Sequence, residues 1–439
     1  MPSSLDWQHA QNVLCVRLDM LGDVLMTTPA LRALKESQPG RRLTLLTSST
    51  AAVLAPLVPE IDDCIIYDAP WMKATALRTD SRPDFAAIER LRQGRFDAAV
   101  LFTVFSQNPL PAALMCLLAD IPLRLAHCRE NPYQLLTDWV SELEPVHLIR
   151  HEVRRQLDLV AGVGCRTANE RLSLRIPAEA TRCVQAILRE LGLGRAGPWV
   201  LIHPGASASS RRYPPERFAQ AARILAHDHD LPVVFSGSTG ERELIESIRT
   251  ASTAPSHSLA GCLSLAELAA LIAQAPLLIT NNTGPAHIAA AVGTPVVDLY
   301  AQTNPQHSPW MVPHRLLYHD VPCKNCFQSA CPQGHHDCLA RVPPELVVQA
   351  ALELLRFDEP EALELPDQTS PLVGEGWGGS VKAIEPRSGV PPSNPPPQGG
   401  GKSPLALSDG LSFVASASGL SKQGMRNNDA YSGNQRGLS

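Results

Sequence analysis

Short apolar runs alternate with segments of helical period along most of this 439-residue chain, and the series is played through twice. Runs such as Val13–Arg17, Leu43–Thr47, Cys64–Tyr67 and Asp97–Phe102 have strand length. Helical patterns separate them, at Val24–Ser37, about Ala51–Leu57, Phe85–Arg92 and Pro111–Leu118. Strand and helix in strict alternation specify a parallel sheet wound on both faces, because a parallel pair needs a crossover. One longer helix is expected over His147–Val163, then a bridge of Leu172–Ile176 and the helical Ala178–Leu191. A second series follows, with strands at Trp199–His203, Pro232–Ser236, about Ser256–Leu259, Pro276–Thr280 and Val296–Leu299. Its helices are expected near Pro215–His227, Gly240–Thr250, Leu265–Gln274 and Pro285–Val292, with a last one at Pro343–Phe357. The fold class is therefore α/β, with two Rossmann-like halves whose ligands sit in the cleft between strand ends.

The expected division is an extension over 1–12, a first domain over 13–164, a bridge over 165–198 and a second domain over 199–357. Residues 358–439 are expected to form a disordered tail. The last 70 residues hold 13 Gly and 8 Pro without a period, as in PPSNPPPQGGGK.

The stretch LLITNNTGPAHIAAAVGTP, residues 277–295, runs a buried strand into a helix through a tight polar turn. Cap-forming residues, a Gly and a first-turn Pro leave unpaired N–H groups and the positive end of a dipole facing one point. That is an anion site, most often for phosphate, although a well-capped junction alone has the same pattern. Another loop of small residues, His203-Pro204-Gly205-Ala206-Ser207, follows the first strand of the second series, and the Ser207 hydroxyl suits a phosphate-facing role.

Composition narrows the classes further. A net charge of -5 argues against a general nucleic-acid binder. No apolar run is long enough to cross a bilayer, and the N-terminus MPSSLDWQHAQN has no basic and apolar signal pattern, so a cytoplasmic protein is expected. Seven scattered cysteines fit reduced thiols. The other four, Cys323, Cys326, Cys331 and Cys338, lie in a loop over 323–338 whose spacing suits a structural zinc; packing thiols or oxidised pairs are the alternatives.

Three segments together carry a family resemblance: RLDMLGDVLMTTPALRALK from Arg17, WVLIHPGASASSRRYPPERFAQAARIL from Trp199, and LLITNNTGPAHIAAAVGTPVVDLY from Leu277. In this order, at these strand ends, they resemble glycosyltransferase family 9, the ADP-heptose:lipopolysaccharide heptosyltransferases. The resemblance covers about Val13 to Arg356 and implies the two-domain GT-B fold. It implies an inverting, metal-independent transfer of heptose or a related sugar from an ADP-sugar to a lipid-linked or core-oligosaccharide acceptor. No cofactor is implied for catalysis, and the acceptor implies contact with the inner face of the membrane. Arg124, Arg129 and the Arg150–Arg155 face are candidates for that contact, if they are more than a solvated charge run.

Residue by residue, Asp23 matches the family's proposed base; from position alone it is a helix cap. Gly22 would let substrates approach the backbone. Arg17 matches a basic position that could contact the acceptor, or is a solvated strand-end cation. Arg211 stands where the family usually has a phosphate-binding Lys. Glu241 lies near a donor-binding acid, or is a first-turn Glu on a helix dipole. Asn282 replaces an Asp that contacts donor heptose, which leaves open a different nucleotide-hexose. Thr283 and Gly284 would offer hydroxyl and amide to the diphosphate, and His287 is expected to be neutral. A catalytically silent nucleotide-sugar-binding protein is the remaining alternative.

Overall fold

The computed structural model describes residues 6–73, 75–193 and 197–356. The expected tail over 358–439 lies outside the described residues.

The first half contains strands β1 (Asn12–Val16), β2 (Arg42–Thr47), β3 (Asp63–Ile66), β4 (Ala98–Leu101), β5 (Leu123–Cys128) and β6 (Asp138–Ser141). Its helices are α1 (Leu21–Ser37), α2 (Arg82–Gln93), α3 (Leu110–Leu118) and α4 (Glu152–Ala161), with a short 3-10 turn over Ala52–Leu57. Helix α5 (Ala178–Glu190) follows and packs on the second half. There the strands are β7 (Val200–His203), β8 (Val233–Phe235), β9 (Ser256–Ser258), β10 (Leu278–Asn281), β11 (Val296–Leu299) and β12 (His314–Leu317). The helices are α6 (Pro215–Asp228), α7 (Arg242–Ser252), α8 (Leu265–Gln274), α9 (Gly284–Val292), the short α10 (Asp337–Ala340) and α11 (Pro344–Arg356).

Each half is a six-stranded sheet, ordered β3-β2-β1-β4-β5-β6 and β9-β8-β7-β10-β11-β12. Every strand pairing is parallel. Both sheets thus share one strand order, and each has its switch point beside its first strand: β1/β4 and β7/β10. Such a sheet binds ligands outside the carboxyl ends at that point. The central strands are buried throughout, as near-continuous apolar runs require.

The largest apolar core crosses from one half to the other. It joins Leu25 and Leu31 of α1 and Leu159 of α4 to Val184 of α5, Leu271 of α8 and Ile288 of α9. Helices α1 and α9 therefore pack directly, one from each half.

The sequence reading departs from the structure at four places. The helix expected over 147–163 begins only at Glu152, because the backbone at 150–152 is engaged elsewhere. Gln306 Nε2 donates to the Arg150 carbonyl at 2.9 Å, and the Glu152 N–H donates to the Gln306 carbonyl at 3.0 Å. His151 then caps the shortened helix, accepting from the Val153 N–H at 3.2 Å. Strands β5, β6 and β12 were not foreseen, since Arg124, His127, Asp138 and Arg315 break their apolar runs.

Candidate active site

Arg17 directly follows strand β1, and its side chain is fully buried. Its Nε lies 3.0 Å from Asp19 Oδ2, and its Nη2 lies 3.3 Å from Asp23 Oδ1 and 3.0 Å from Glu152 Oε1. The acceptor contact expected of Arg17 is therefore corrected: three carboxylates, one from α4, enclose the guanidinium below the cleft floor. A buried cation needs such partners, since its desolvation is otherwise uncompensated.

Asp23 sits in the first turn of α1 and uses both oxygens. Oδ2 accepts the Met20 N–H at 3.2 Å while Oδ1 faces Arg17. The cap and the candidate base are thus the same carboxylate. Burial acts to raise its pKa, but Arg17, His307 and His287 together hold it below the ordinary value. Asp19 goes the other way, pushed up to about 6 by burial, with Arg17 opposing and Asp23 adding to the rise. Gln107 Nε2 donates to its free oxygen. Gly22 serves a contact that the sequence did not suggest. A Cβ there would meet the His287 ring, so the glycine admits α9 rather than a substrate.

In the second half, Glu241 accepts the Ser238 N–H at 2.7 Å and the Ser238 hydroxyl at 2.9 Å. It lies 4.0 Å from His203 Nε2 and abuts Gly205, where any Cβ would collide with its carboxylate. Ser207 is exposed on the loop after β7. Arg211 closes a 3-10 turn over Ser209–Arg211. That turn is pinned by Ser210, whose N–H donates to the Ser329 carbonyl at 3.2 Å and whose hydroxyl donates to the Gln328 carbonyl at 2.8 Å. Among the described residues no carboxylate pairs with Arg211, and its Nε is buried without a partner. An unpaired cation at a cleft wall is a ready anion ligand.

Thr283 is the extended N-cap of α9, and its hydroxyl donates back to the Asn281 carbonyl at 3.2 Å. Gly284 and Pro285 open the helix. Burial carries His287 down to about 3, with His307 adding to the fall and Asp23 opposing it; the ring is neutral. Asn282 is placed differently from expectation. Its Nδ2 donates to Asp298 Oδ2 at 2.9 Å and to the His307 carbonyl at 2.8 Å, so the amide points into the second half and away from the cleft. Burial pushes Asp298 up to about 7, opposed by the Asn282 hydrogen bond, and among the described residues its Oδ1 has no partner.

Two adjoining cavities take up the space between the strand ends. One, about 940 Å³, is lined by Asp19, Asp23, Ser207, Arg211, Asn304 and His307, and by Phe327–Ser329 of the cysteine-rich loop. The other, about 410 Å³, is lined by His203, Gly205, Ser207, Glu241, Thr283 and Gly284 facing the apolar Leu263, Leu265 and Ile288. Ser207 borders both. Lys73 spans the larger cavity, its Nζ donating to Ser329 Oγ at 3.1 Å. A narrow site with an apolar wall and a helix N-terminus suits a nucleoside diphosphate, and the wider one suits reacting groups beside a carboxylate. Sequence reasoning missed Asp19, Glu152, Asp298 and His307, none of which stands in a spacing that marks a function.

Burial raises the Cys338 thiol and its fellows Cys331, Cys323 and Cys326 add to the rise, while Cys323 Sγ lies 3.7 Å from His335 Nε2. Among the described residues no three ligating side chains stand in a metal-holding arrangement. The arginines expected at a membrane face are engaged inside the fold. Arg124 and Arg155 are buried, Arg129 donates to the Phe105 and Glu144 carbonyls, and Arg150 pairs with Glu144 and Asp158. No helix among the described residues is long and apolar enough to cross a membrane.

Known proteins resemble this chain in sequence and in fold. A lipooligosaccharide heptosyltransferase 2 of Campylobacter jejuni is 32% identical over 161 residues, which are 35% of this chain; there the chain spans about half of its relative, 50%. Lipopolysaccharide heptosyltransferase 2 of Escherichia coli is 26% identical over 368 residues, 79% of this chain and 99% of that protein. The solved structure of the Escherichia coli ADP-heptose LPS heptosyltransferase II superposes with a TM-score of 0.62 at 24% identity, covering 80% of this chain and 100% of that one. Its likeness shows the two-domain GT-B fold. The family model described as Glycosyltransferase family 9 (heptosyltransferase) matches residues 85–336. With more than half of its length so matched, the chain belongs to glycosyltransferase family 9.

Proposed function

We propose that the protein is an inverting, metal-independent glycosyltransferase that moves heptose or a related sugar from an ADP-linked donor to a lipopolysaccharide-core acceptor. Its relatives are named as a lipopolysaccharide heptosyltransferase and an ADP-heptose LPS heptosyltransferase, which supports the sugar and the donor class. The nucleoside lies in the smaller cavity against Glu241 and the apolar wall. The diphosphate faces the amide end of α9 at Thr283 and Gly284, with Ser207 and Arg211 completing its cradle. The sugar then projects into the larger cavity toward Asp23. The acceptor hydroxyl attacks the anomeric carbon from the face opposite the diphosphate and loses its proton to Asp23. The carbon–oxygen bond to the diphosphate breaks with its electron pair, releasing ADP. Arg211 and the helix amides stabilise the charge that builds on the leaving group.

One observation carries this reading: α1 and α9 meet at Gly22 and His287, and the cavity lined by Asp23 adjoins, at Ser207, the one lined by the amide end of α9. The test is ADP release from ADP-heptose in the presence of a core acceptor, by the wild type and by Asp23→Asn. A loss of about 10²–10⁴-fold is expected for removing a general base. Equal rates in both proteins would remove Asp23 from the mechanism. Thermal-shift titration with ADP-, UDP- and GDP-sugars identifies the donor, because the bound ligand stabilises the native state. The buried Asn282 keeps the other nucleotide-hexoses in that screen.

The thiol loop is further proposed as a structural zinc site, to be settled by elemental analysis of purified protein. Peripheral contact with a membrane through the lipid-linked acceptor is proposed as well, and is tested by sedimentation with acceptor-bearing vesicles.

A further inference from the structure

The donor reading leaves the sugar without a partner on the second half, because Asn282 is turned inward. Its two donors are spent on Asp298 and on the His307 carbonyl, at 2.9 and 2.8 Å. Those bonds fix the segment that carries His307. The same segment is pinned again at Tyr300, whose hydroxyl donates to the Asn304 carbonyl and accepts the His307 N–H at 3.3 Å. His307 is thus held on a braced loop rather than a mobile one.

Its ring faces the larger cavity beside Asp23 and Arg211. Nε2 lies 3.4 Å from Asn304 Nδ2, which can only donate, so Nε2 accepts and the proton sits on Nδ1. Among the described residues Nδ1 has no partner. A neutral imidazole with one free N–H therefore lines the same cavity as Asp23 and Arg211, the groups assigned above to the acceptor proton and the diphosphate. On the donor reading the transferred sugar enters that cavity.

We propose that His307 binds the transferred sugar, donating its Nδ1 proton to a ring hydroxyl, and that Asn282 is the positioning residue that sets it there. The proposal rests on the donor reading above and extends it. In this chain the sugar contact comes from the loop after β11, with position 282 acting one step removed.

Calorimetric titration of the full chain with ADP and with ADP-heptose separates sugar recognition from nucleotide recognition. In His307→Ala, affinity for ADP-heptose should fall about tenfold or more, the scale of a lost hydrogen bond to a buried group, while ADP affinity stays within about threefold. His307→Gln, which retains a donor, should recover part of the loss. Asn282→Ala should reproduce the sugar-selective loss, and the double variant should lose no more than His307→Ala alone, as expected for residues acting through one contact. Should Asn282→Ala fail to fold, the two His307 variants decide. Wild-type binding of ADP-heptose with equal binding by His307→Ala, or parallel weakening of both ligands, overturns the assignment alone. A wild type that binds ADP but gains nothing from the heptose overturns the donor reading with it.

Discussion

A methyl group at Gly22 would stand 2.7 Å from Cδ2 of His287, so the N-termini of α1 and α9 touch through a hydrogen atom and an imidazole edge. The ring is buried. Alanine is the better helix former, so Gly22→Ala would stabilise α1 by up to about 1 kcal/mol if nothing stood there. Overpacking reverses the sign, with an expected loss of about 1–3 kcal/mol. Thermal melts should show Gly22→Ala below the wild type, and Gly22→Ala combined with His287→Ala should recover part of the loss relative to His287→Ala alone. Activity of the single variant should fall by more than stability explains, since displacing α9 by an ångström misplaces the diphosphate.

Among the described residues Arg211 pairs with no carboxylate, so its removal should leave the melting temperature nearly unchanged. Arg211→Ala is expected to lower kcat by about 10²–10³-fold, as for other groups that stabilise transition-state charge. Arg211→Lys should retain part of that rate, because the charge persists and the bidentate geometry does not. Steady-state kinetics beside calorimetry with ADP measures both.

Removing Arg17 has the opposite balance. Arg17→Ala leaves Asp19, Asp23 and Glu152 facing one another without their cation. Breaking a buried pair in this way costs about 3–5 kcal/mol. The variant should unfold at markedly lower denaturant concentration, which a urea titration reads directly.

Asp19 and Asp23 share one guanidinium, and burial pushes Asp19 up to about 6. Above that pH both carboxylates are charged, and the repulsion makes Asp23 a better proton acceptor. The acid limb of kcat/KM should therefore bend near pH 6 in the wild type. In Asp19→Asn only Asp23 titrates, so the limb should move to lower pH and the plateau should fall. An unmoved limb would mean that Asp19 has no part in setting the base.

Asp298 gives a stability signal with a definite sign. Burial raises its folded-state pKa from 3.8 to about 7, so the fold favours the protonated acid. That contribution is complete below pH 3.8 and is lost as pH rises through about 7. The buried rings of His151 and His287, held near 3, act oppositely and lose stability as pH falls below 6.5. Comparing Asp298→Asn with the wild type cancels the histidines. The variant's advantage in melting temperature should grow as pH is raised from about 5 to about 8.

Much of this architecture is written locally. The apolar runs at β1, β2, β7, β10 and β11 mark central strands, and the site residues Asp23, Ser207, Thr283 and Gly284 follow from lying just past their carboxyl ends. Edge strands β6 and β12 are half-exposed and polar, so no apolar run betrays them. Arg124 sits inside β5 because carbonyls at 121, 134 and 135 satisfy its guanidinium, a pairing that only the folded chain makes. Arg17, expected to meet the acceptor or the solvent, is buried for the same reason: Glu152 reaches it from α4, far along the chain. His307 owes its setting to Asn282, Tyr300 and Asn304, and no spacing rule connects those four.

Because each sheet has its own switch point, the sites proposed for nucleotide and acceptor lie on separate scaffolds. On that proposal, changes in the loops after β4 would retune what is glycosylated without disturbing the cradle at β7 and β10, and the converse would hold. A lineage built this way can diversify its products one partner at a time, with the α1–α9 contact as one joint that both specificities must respect.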